Sequence, residues 1–398
     1  MSPLDLLRDG DFRRVWLAGG LGWVMRWLEL LAIGVFTFQI TGSALTVALV
    51  TMARMLPMLL FSAFTGAIAD RFDRRWMLLA GLAALASVSA ILAALAVSGR
   101  LELWHVALGA FASGIYGTLE FPVRRTMLGE IAGPGGAGVA LTLDTATNHA
   151  MRMLGPVLGG VLLETVGIQG IYLLGAVLFG LAFLLVLRTS YRSAVSAHLG
   201  PRMLERIVEG LRYLRTAPRI LGTLYITLIM NFFGFPYAAM IPVIGDEVLH
   251  QNAVNTGLLL SADATGGLLG AILIANLGRP AHYARIYFLG SALFIGAVSL
   301  FSLSTWYPLS LGLLALAGFG VAGFSAMQST IVFTSAPPEM RSRLMGVLAV
   351  CIGINPLGVL HMGLMADWLG GPMAVTVVTV EGLLAIGLAS VFWPLLRR

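Results

Sequence analysis

Lysine is absent from this chain, cysteine occurs once, and charged side chains make up only 11% of the 398 residues. Soluble proteins carry about 25% charged residues, so the deficit excludes an ordinary soluble domain. With Cys351 alone, no disulfide can form within the chain, and redox compartment is left open. The missing lysine reflects compositional bias toward arginine and carries no functional weight. Long alternating apolar–polar segments are also missing, which excludes a membrane β-barrel. No metal-ligand cluster, ATP loop or convincing nucleophile–base pair is present, so neither an enzyme nor a metal or cofactor is expected. The start, MSPLDLLRDGDFRRVW, is polar and flows into an apolar run, so no cleavable signal peptide is expected.

Apolar residues are abundant, at 58%. They fall in runs of about 20 residues or more, each long enough to cross a hydrocarbon core of about 30 Å. The reading is an all-α membrane protein of twelve spans: 12–39, 44–69, 76–98, 103–128, 138–165, 168–188, 220–245, 254–278, 284–304, 307–333, 344–368 and 373–396. Arginines gather on one side: Arg71, Arg74 and Arg75, then Arg124 and Arg125, Arg279 and Arg285, Arg341 and Arg343, Arg397 and Arg398. Only Arg100 falls on the other. Positive-inside bias then places both termini in the cytoplasm. The net charge of +6 is thus a topology signal, and no nucleic-acid partner is expected. The long connection divides the chain into 1–188, a cytoplasmic linker 189–219 and 220–398. Within the linker, ERIVEGLRYL sets Ile207, Val208, Leu211 and Leu214 against charged residues, the pattern of a surface-lying amphipathic helix.

The halves repeat. GVLLETVG (160–167) matches GLMADWLG (363–370), and GAIAD (66–70) is a third copy. An offset of 208 residues places Glu120 on Gln328, and a weaker match places Arg26 on Asn231. Nested three-helix repeats in two six-span halves are a transporter architecture.

GAIADRFDRR (66–75) resembles the signature loop between spans two and three of the major facilitator superfamily. MLGPVLGGV (153–161) resembles the G-P-x-x-G-G element of its exporter branches, and with FPVRRTML (121–128) the chain resembles the bacterial enterobactin- and drug-exporter subgroup. Two departures stand out: span four has no arginine before Arg124, and MRWLE occupies a place where small polar residues or aspartate are common. The resemblance implies the major facilitator fold, with two pseudo-symmetric six-helix halves and a cavity lined by spans one, four, seven and ten. It also implies a bacterial inner-membrane location and a monomer.

Charges at bilayer depth, each costing about 2.5–3.5 kcal/mol on insertion scales, are the functional candidates. Arg26 and Glu29, three apart, share a helix face, which suggests an ion pair structural to span one or lining the transport path. Glu120 and Asp144 fall at similar depth and could meet, one keeping a proton. With Glu29 and Asp263 they are the proton-coupling candidates. Asn148 and Arg152 continue the polar stripe of Asp144, whereas Arg54 reads as structural. The cavity candidates are Arg26, Trp27, Glu29, Asn148, Arg152, Asn231, Phe232, Phe235, Gln328 and Asn355. By resemblance, the gating element comprises Gly66, Asp70, Arg71, Arg74 and Arg75. Gly155, Pro156, Gly159 and Gly160 permit tight packing or a bend. Isolated acid Glu381, and His149 and His361, read as packed or peripheral.

Together these readings lead to the expectation of a proton-coupled exporter of an amphipathic small molecule (a drug, siderophore or lipid-like compound), working by alternating access among membrane lipids. An importer of the same fold, or a non-transporting receptor or scaffold, is the alternative.

Overall fold

A computed structural model describes residues 3–133, 135–192, 209–277 and 282–393, with backbone alone at 3, 62–71, 215, 275, 338 and 342. Among the described residues all regular structure is helical. After a short α1 (Pro3–Arg8) come α2 (Gly10–Thr41), α3 (Ala44–Arg71), α4 (Arg74–Val97), α5 (Leu103–Ala132), α6 (Ala137–Thr165) and α7 (Ile168–Leu187). The second set comprises α8 (Pro218–Ile229), α9 (Ile241–Glu247), α10 (Ala253–Leu277), α11 (Tyr283–Ser302), α12 (Tyr307–Ser335), α13 (Pro338–Gly353), α14 (Asn355–Leu369) and α15 (Gly371–Phe392).

Eleven segments among the described residues are long and apolar enough to cross a membrane. The twelfth expected span is α6. Its 29 residues rise about 43 Å, which is ample length. Asp144, Asn148, Arg152 and Glu164 dilute its hydropathy.

Two expected spans are not continuous helices. Between α8 and α9 the chain forms a π-helical turn at Met230–Gly234, then a 3-10 segment at Phe235–Met240. Pro236 and Pro242 lack the amide hydrogens that an unbroken helix needs. The span expected at 344–368 begins earlier, at Pro338, and is interrupted at Ile354 between α13 and α14. The repeated glycines mark helix ends: Gly167, with φ +82°, follows α6, and Gly370, with φ +80°, follows α14. Only glycine takes such a backbone without strain.

The chain forms two compact units. The first is Met1–Ile40, Ala53–Leu199 and Ala253–Gly257; the second is Thr41–Met52, Gly200–Asn252 and Leu258–Arg398. In the first, α4 packs along α7 and α5 lies against α4 and α6. In the second, α11 packs along α12 and α15. A Cβ on Gly290 or Gly320 would stand 2.7 Å from the other's carbonyl oxygen, so α11 and α12 meet backbone to backbone. Such approach substitutes for the hydrophobic drive that lipid does not supply between helices.

Part of the expected amphipathic linker helix, with Ile207 and Val208, lies outside the described residues. Residues 209–213 are helical. Leu214 is buried in a cluster with Leu344 and Val347, and Glu209 pairs with Arg343 at 2.8 Å. This end of the linker therefore packs on protein through Leu214.

Candidate functional site

The first unit carries a buried charge cluster built from α2, α5 and α6. Arg124 is 1% exposed, Glu120 7% and Asp144 2%. Arg124 Nε donates to Glu120 Oε1 and one terminal nitrogen donates to Asp144 Oδ1. The other terminal nitrogen reaches Asp144 Oδ2 at 3.4 Å. Glu120 and Arg124 share an α5 face because they are four apart. Asp144 comes from α6, so Arg124 ties the two helices together. Room for the guanidinium exists because residue 19 is glycine: a Cβ there would lie 2.5 Å from an Arg124 terminal nitrogen. The Trp23 ring lies 5.6 Å from the Arg124 guanidinium carbon and 5.5 Å from that of Arg26, within cation–π range of both. The expected meeting of Glu120 and Asp144 occurs through a shared arginine, and not as two carboxylates facing each other.

Arg26 and Glu29 are not the expected ion pair. Glu29, 4% exposed, accepts from Arg54 at 3.1 Å and from Ser113 Oγ at 3.3 Å. Arg54 also donates to the Arg26 carbonyl at 3.1 Å. Arg54 reaches in from α3 because Gly114 lets α5 approach: a Cβ at 114 would lie 2.0 Å from the Arg54 carbonyl oxygen. Arg54, read as a separate structural residue, is thus the true partner of Glu29. The Arg26 side chain is exposed although it sits mid-span. It lines a cavity of about 30 Å³ with Trp23, Glu29, Arg54, Tyr116 and Glu120. That volume admits a water molecule or two and is far below a drug-sized site.

A second α2–α6 contact joins more of the expected residues. Trp27 Nε1 donates to Asn148 Oδ1 at 3.0 Å, and Arg152 lies over the Trp27 ring at 5.5 Å. Below them, a Cβ at Gly155 would meet Trp27 Cβ at 2.6 Å, and one at Gly159 would meet the Leu28 carbonyl at 2.5 Å. Gly160 faces the Ala253 carbonyl, which a Cβ would approach to 2.4 Å, and Gly257 faces that of Pro156. Glu164 accepts from the Val254 amide at 3.1 Å, satisfying a free donor at the start of α10. Pro156 leaves α6 continuous from Ala137 to Thr165.

Of the gating candidates, the side chains of Gly66, Asp70 and Arg71 lie outside those described. Asp73 caps α4, accepting from the amides of Arg75 and Trp76. Arg74 pairs with Glu130 at 2.7 Å, and Arg75 donates to the Leu187 carbonyl at 2.7 Å. Together they fasten the α3–α4 turn to the ends of α5 and α7.

The second unit offers neutral groups where the first has charge. Gln328 Nε2 donates to Thr227 Oγ1 at 3.1 Å, and Thr227 and Tyr287 hydroxyls are 2.9 Å apart. Asn231 donates to the Thr227 carbonyl at 2.9 Å, and Asn355 donates to the Asn231 carbonyl at 3.1 Å. The Asn231 carbonyl lies in the π turn, so Asn355 supports the broken span. Phe235 packs against Phe294 and Phe324, while Phe232 stacks on His361. Asp263 is buried in α10 of this unit and is not part of the Arg124 cluster. Sequence reasoning missed Trp23, Thr227 and Tyr287, which carry no charge to draw attention. It also set aside the His361–Glu381 contact of 3.0 Å. Among the described residues no three His, Cys, Asp or Glu side chains converge as metal ligands.

Comparison with known proteins gives these features a context. The chain is 28% identical to the multidrug efflux pump Tap of Mycolicibacterium fortuitum over 93% of this chain and 92% of that one. It is 22% identical to the staphyloferrin A transporter of Staphylococcus aureus, covering 94% and 93%. It is also 22% identical to macrolide efflux protein A of Streptococcus pyogenes, covering 90% of each. Among solved structures, a bacterial homologue of the human lysosomal transporter Spinster superposes with a TM-score of 0.71 at 17% identity, covering 97% and 95%. The nucleoside transporter NupG gives 0.75 at 13% identity, covering 97% and 99%. These likenesses extend to the fold, that of major facilitator transporters. The model of the transmembrane secretion effector family matches residues 1–397, and the chain belongs to that family, as an integral membrane transporter of the major facilitator superfamily.

Proposed function

We propose that the protein exports an amphipathic small molecule in exchange for protons, by alternating access. The observation that carries this reading is the Glu120–Arg124–Asp144 cluster: two buried acids share one base. With all three ionised, the cluster holds one negative charge in excess. Uptake of a proton by Glu120 neutralises it and weakens the Arg124 Nε contact, leaving Arg124 held to Asp144 through its two terminal nitrogens. A small cavity that admits water adjoins Glu120 and gives the proton a path. Arg26 lines the same cavity.

Export is supported by the relatives named as efflux proteins and by the glycine cluster on α6. Gly159 and Gly160 permit backbone contacts that side chains would hold apart, and such contacts can part and re-form as an access pathway changes. Asp70 with Arg71, Arg74 and Arg75 supplies the gate on the arginine-rich side. Both termini and the linker 189–219 face the cytoplasm of a bacterial cell, and the protein acts as a monomer in the inner membrane.

Reconstituted liposomes test this reading. Substrate accumulation driven by an imposed pH gradient is expected in the wild type. Asp144→Asn should bind substrate and exchange it passively yet lose gradient-driven accumulation, and Glu120→Gln should lose gradient-driven accumulation as well. Full pH-driven accumulation in both variants would exclude the cluster as the coupling site.

A further inference from the structure

A second, larger cavity of about 420 Å³ lies between α4 and α5, within the first unit. This volume falls in the range of drug-sized sites, about 300–1,000 Å³. Leu78 and Leu85 of α4 and Ile115, Leu119 and Val123 of α5 make its walls apolar. Ala80, Gly81, Ala84 and Ala112 leave its interior unfilled. Ala80, Ala84 and Ile115 are exposed, so it opens on the outer face of two membrane-spanning helices.

The inner end is different. Leu85, Tyr116 and Glu120 line this cavity and also the small polar one that holds Arg26, Glu29 and Arg54. Tyr116 forms part of the wall between them. Its ring lies on Gly81, where a Cβ would come within 2.5 Å of a ring carbon. Gly81 therefore sets how far the ring swings toward α4. Among the described residues Glu120 is the one charged residue lining the larger cavity, whereas Arg26 and Arg54 line only the small one.

We infer that this cavity is a lateral binding site through which a lipophilic cation enters from the bilayer. Its body occupies the apolar walls and its charge reaches Glu120 past the Tyr116 ring. A lipid acyl chain fills the walls equally well but brings no donor or positive charge to Glu120, whose carboxylate Arg124 engages through Oε1, so the acid at the inner end selects a cationic or donor-bearing molecule. This rests on the proposed role of Glu120 and deepens it: a cation at Glu120 competes with the proton there, which links substrate entry to proton release.

The test uses purified full-length protein in lipid nanodiscs, with rhodamine 6G as the cationic probe and zwitterionic rhodamine B as its comparison. Ala84→Phe fills the cavity from α4 and Ala112→Phe from α5. Ala83→Phe adds the same bulk to an exposed neighbouring position that does not line it. Rhodamine 6G should bind more tightly than rhodamine B. Its affinity should fall roughly tenfold or more in either filling variant, about 1.4 kcal/mol, and stay within about twofold in Ala83→Phe by the same scale. A wild type that does not bind rhodamine 6G, or equal affinity in wild type and the filling variant that folds, overturns the site. So does release of a co-purified phospholipid by Ala84→Phe with rhodamine 6G binding unchanged. Absence of pH-driven transport by the wild type, with its probe binding and the effects of the filling variants intact, would instead count against the proton-coupled reading and leave the site standing.

Discussion

Gly19 and Gly117 illustrate how single positions place charge in this protein. A methyl group at 19 would occupy the Arg124 guanidinium, and one at 117 would stand 2.8 Å from an Arg26 terminal nitrogen. Both arginines therefore sit where they do because small residues leave them room. Arg124 neutralises two buried acids, so its removal strands both. Arg124→Met should destabilise the protein by about 3–5 kcal/mol, the cost of leaving buried charge uncompensated. Glu120→Gln leaves a one-to-one pair with Asp144 and should cost clearly less. Thermal unfolding in detergent, followed by tryptophan fluorescence, compares them; equal losses would show that the arginine is not shared. The corrected pairing of Glu29 has its own test. In double-mutant cycles, Glu29→Gln with Arg54→Met should be non-additive, whereas Glu29→Gln with Arg26→Met should add to within about 0.5 kcal/mol. The reverse pattern would restore the pair that spacing along α2 suggested. Spacing placed Arg26 and Glu29 on one face, but only a neighbouring helix can show that a third residue reaches the acid first.

At the scale of elements, the informative features are the broken spans. The π turn at Met230–Gly234 frees backbone groups that a continuous helix would satisfy, and Asn355 donates to one of them, the Asn231 carbonyl. Free polar backbone in a membrane interior is costly. Asn355→Leu should therefore destabilise the second unit by about 1–3 kcal/mol, the penalty of a buried acceptor left unsatisfied. Asn355→Ser, which keeps a donor, should recover part of the loss. No difference between the two would show that another donor serves that carbonyl. Pro236 and Pro242 are local signals that a helix cannot run unbroken there, but the π turn is not legible in the sequence. It depends on a donor 124 residues away. Similarly, the glycines of α6 were legible as a close-packing element. That Gly159 meets Leu28 and Gly160 meets Ala253 depends on which helices lie alongside.

For the whole molecule, topology is the property to test. In Cys351→Ala protein, single cysteines at positions 2, 200 and 397 should resist membrane-impermeant maleimide added to intact cells and react after permeabilisation. A cysteine at Gly99, in the turn after α4, should react in both conditions. Labelling of position 200 from outside would overturn the cytoplasmic assignment. The membrane class, the all-helical architecture, the twofold repeat and the superfamily followed from the sequence by itself. Each depends on composition, run length or short local motifs, which lipid solvation and backbone hydrogen bonding convert directly into helices. The repeated glycines after α6 and α14 belong with these, since positive φ is a local demand. Tertiary structure alone decided which charges pair, which arginine is exposed, where a span breaks, and that an apolar cavity adjoins Glu120. Those outcomes depend on the approach of helices far apart in the chain. Buried charges settle on whichever partner comes within hydrogen-bond reach, and periodicity within one helix carries no record of that distance.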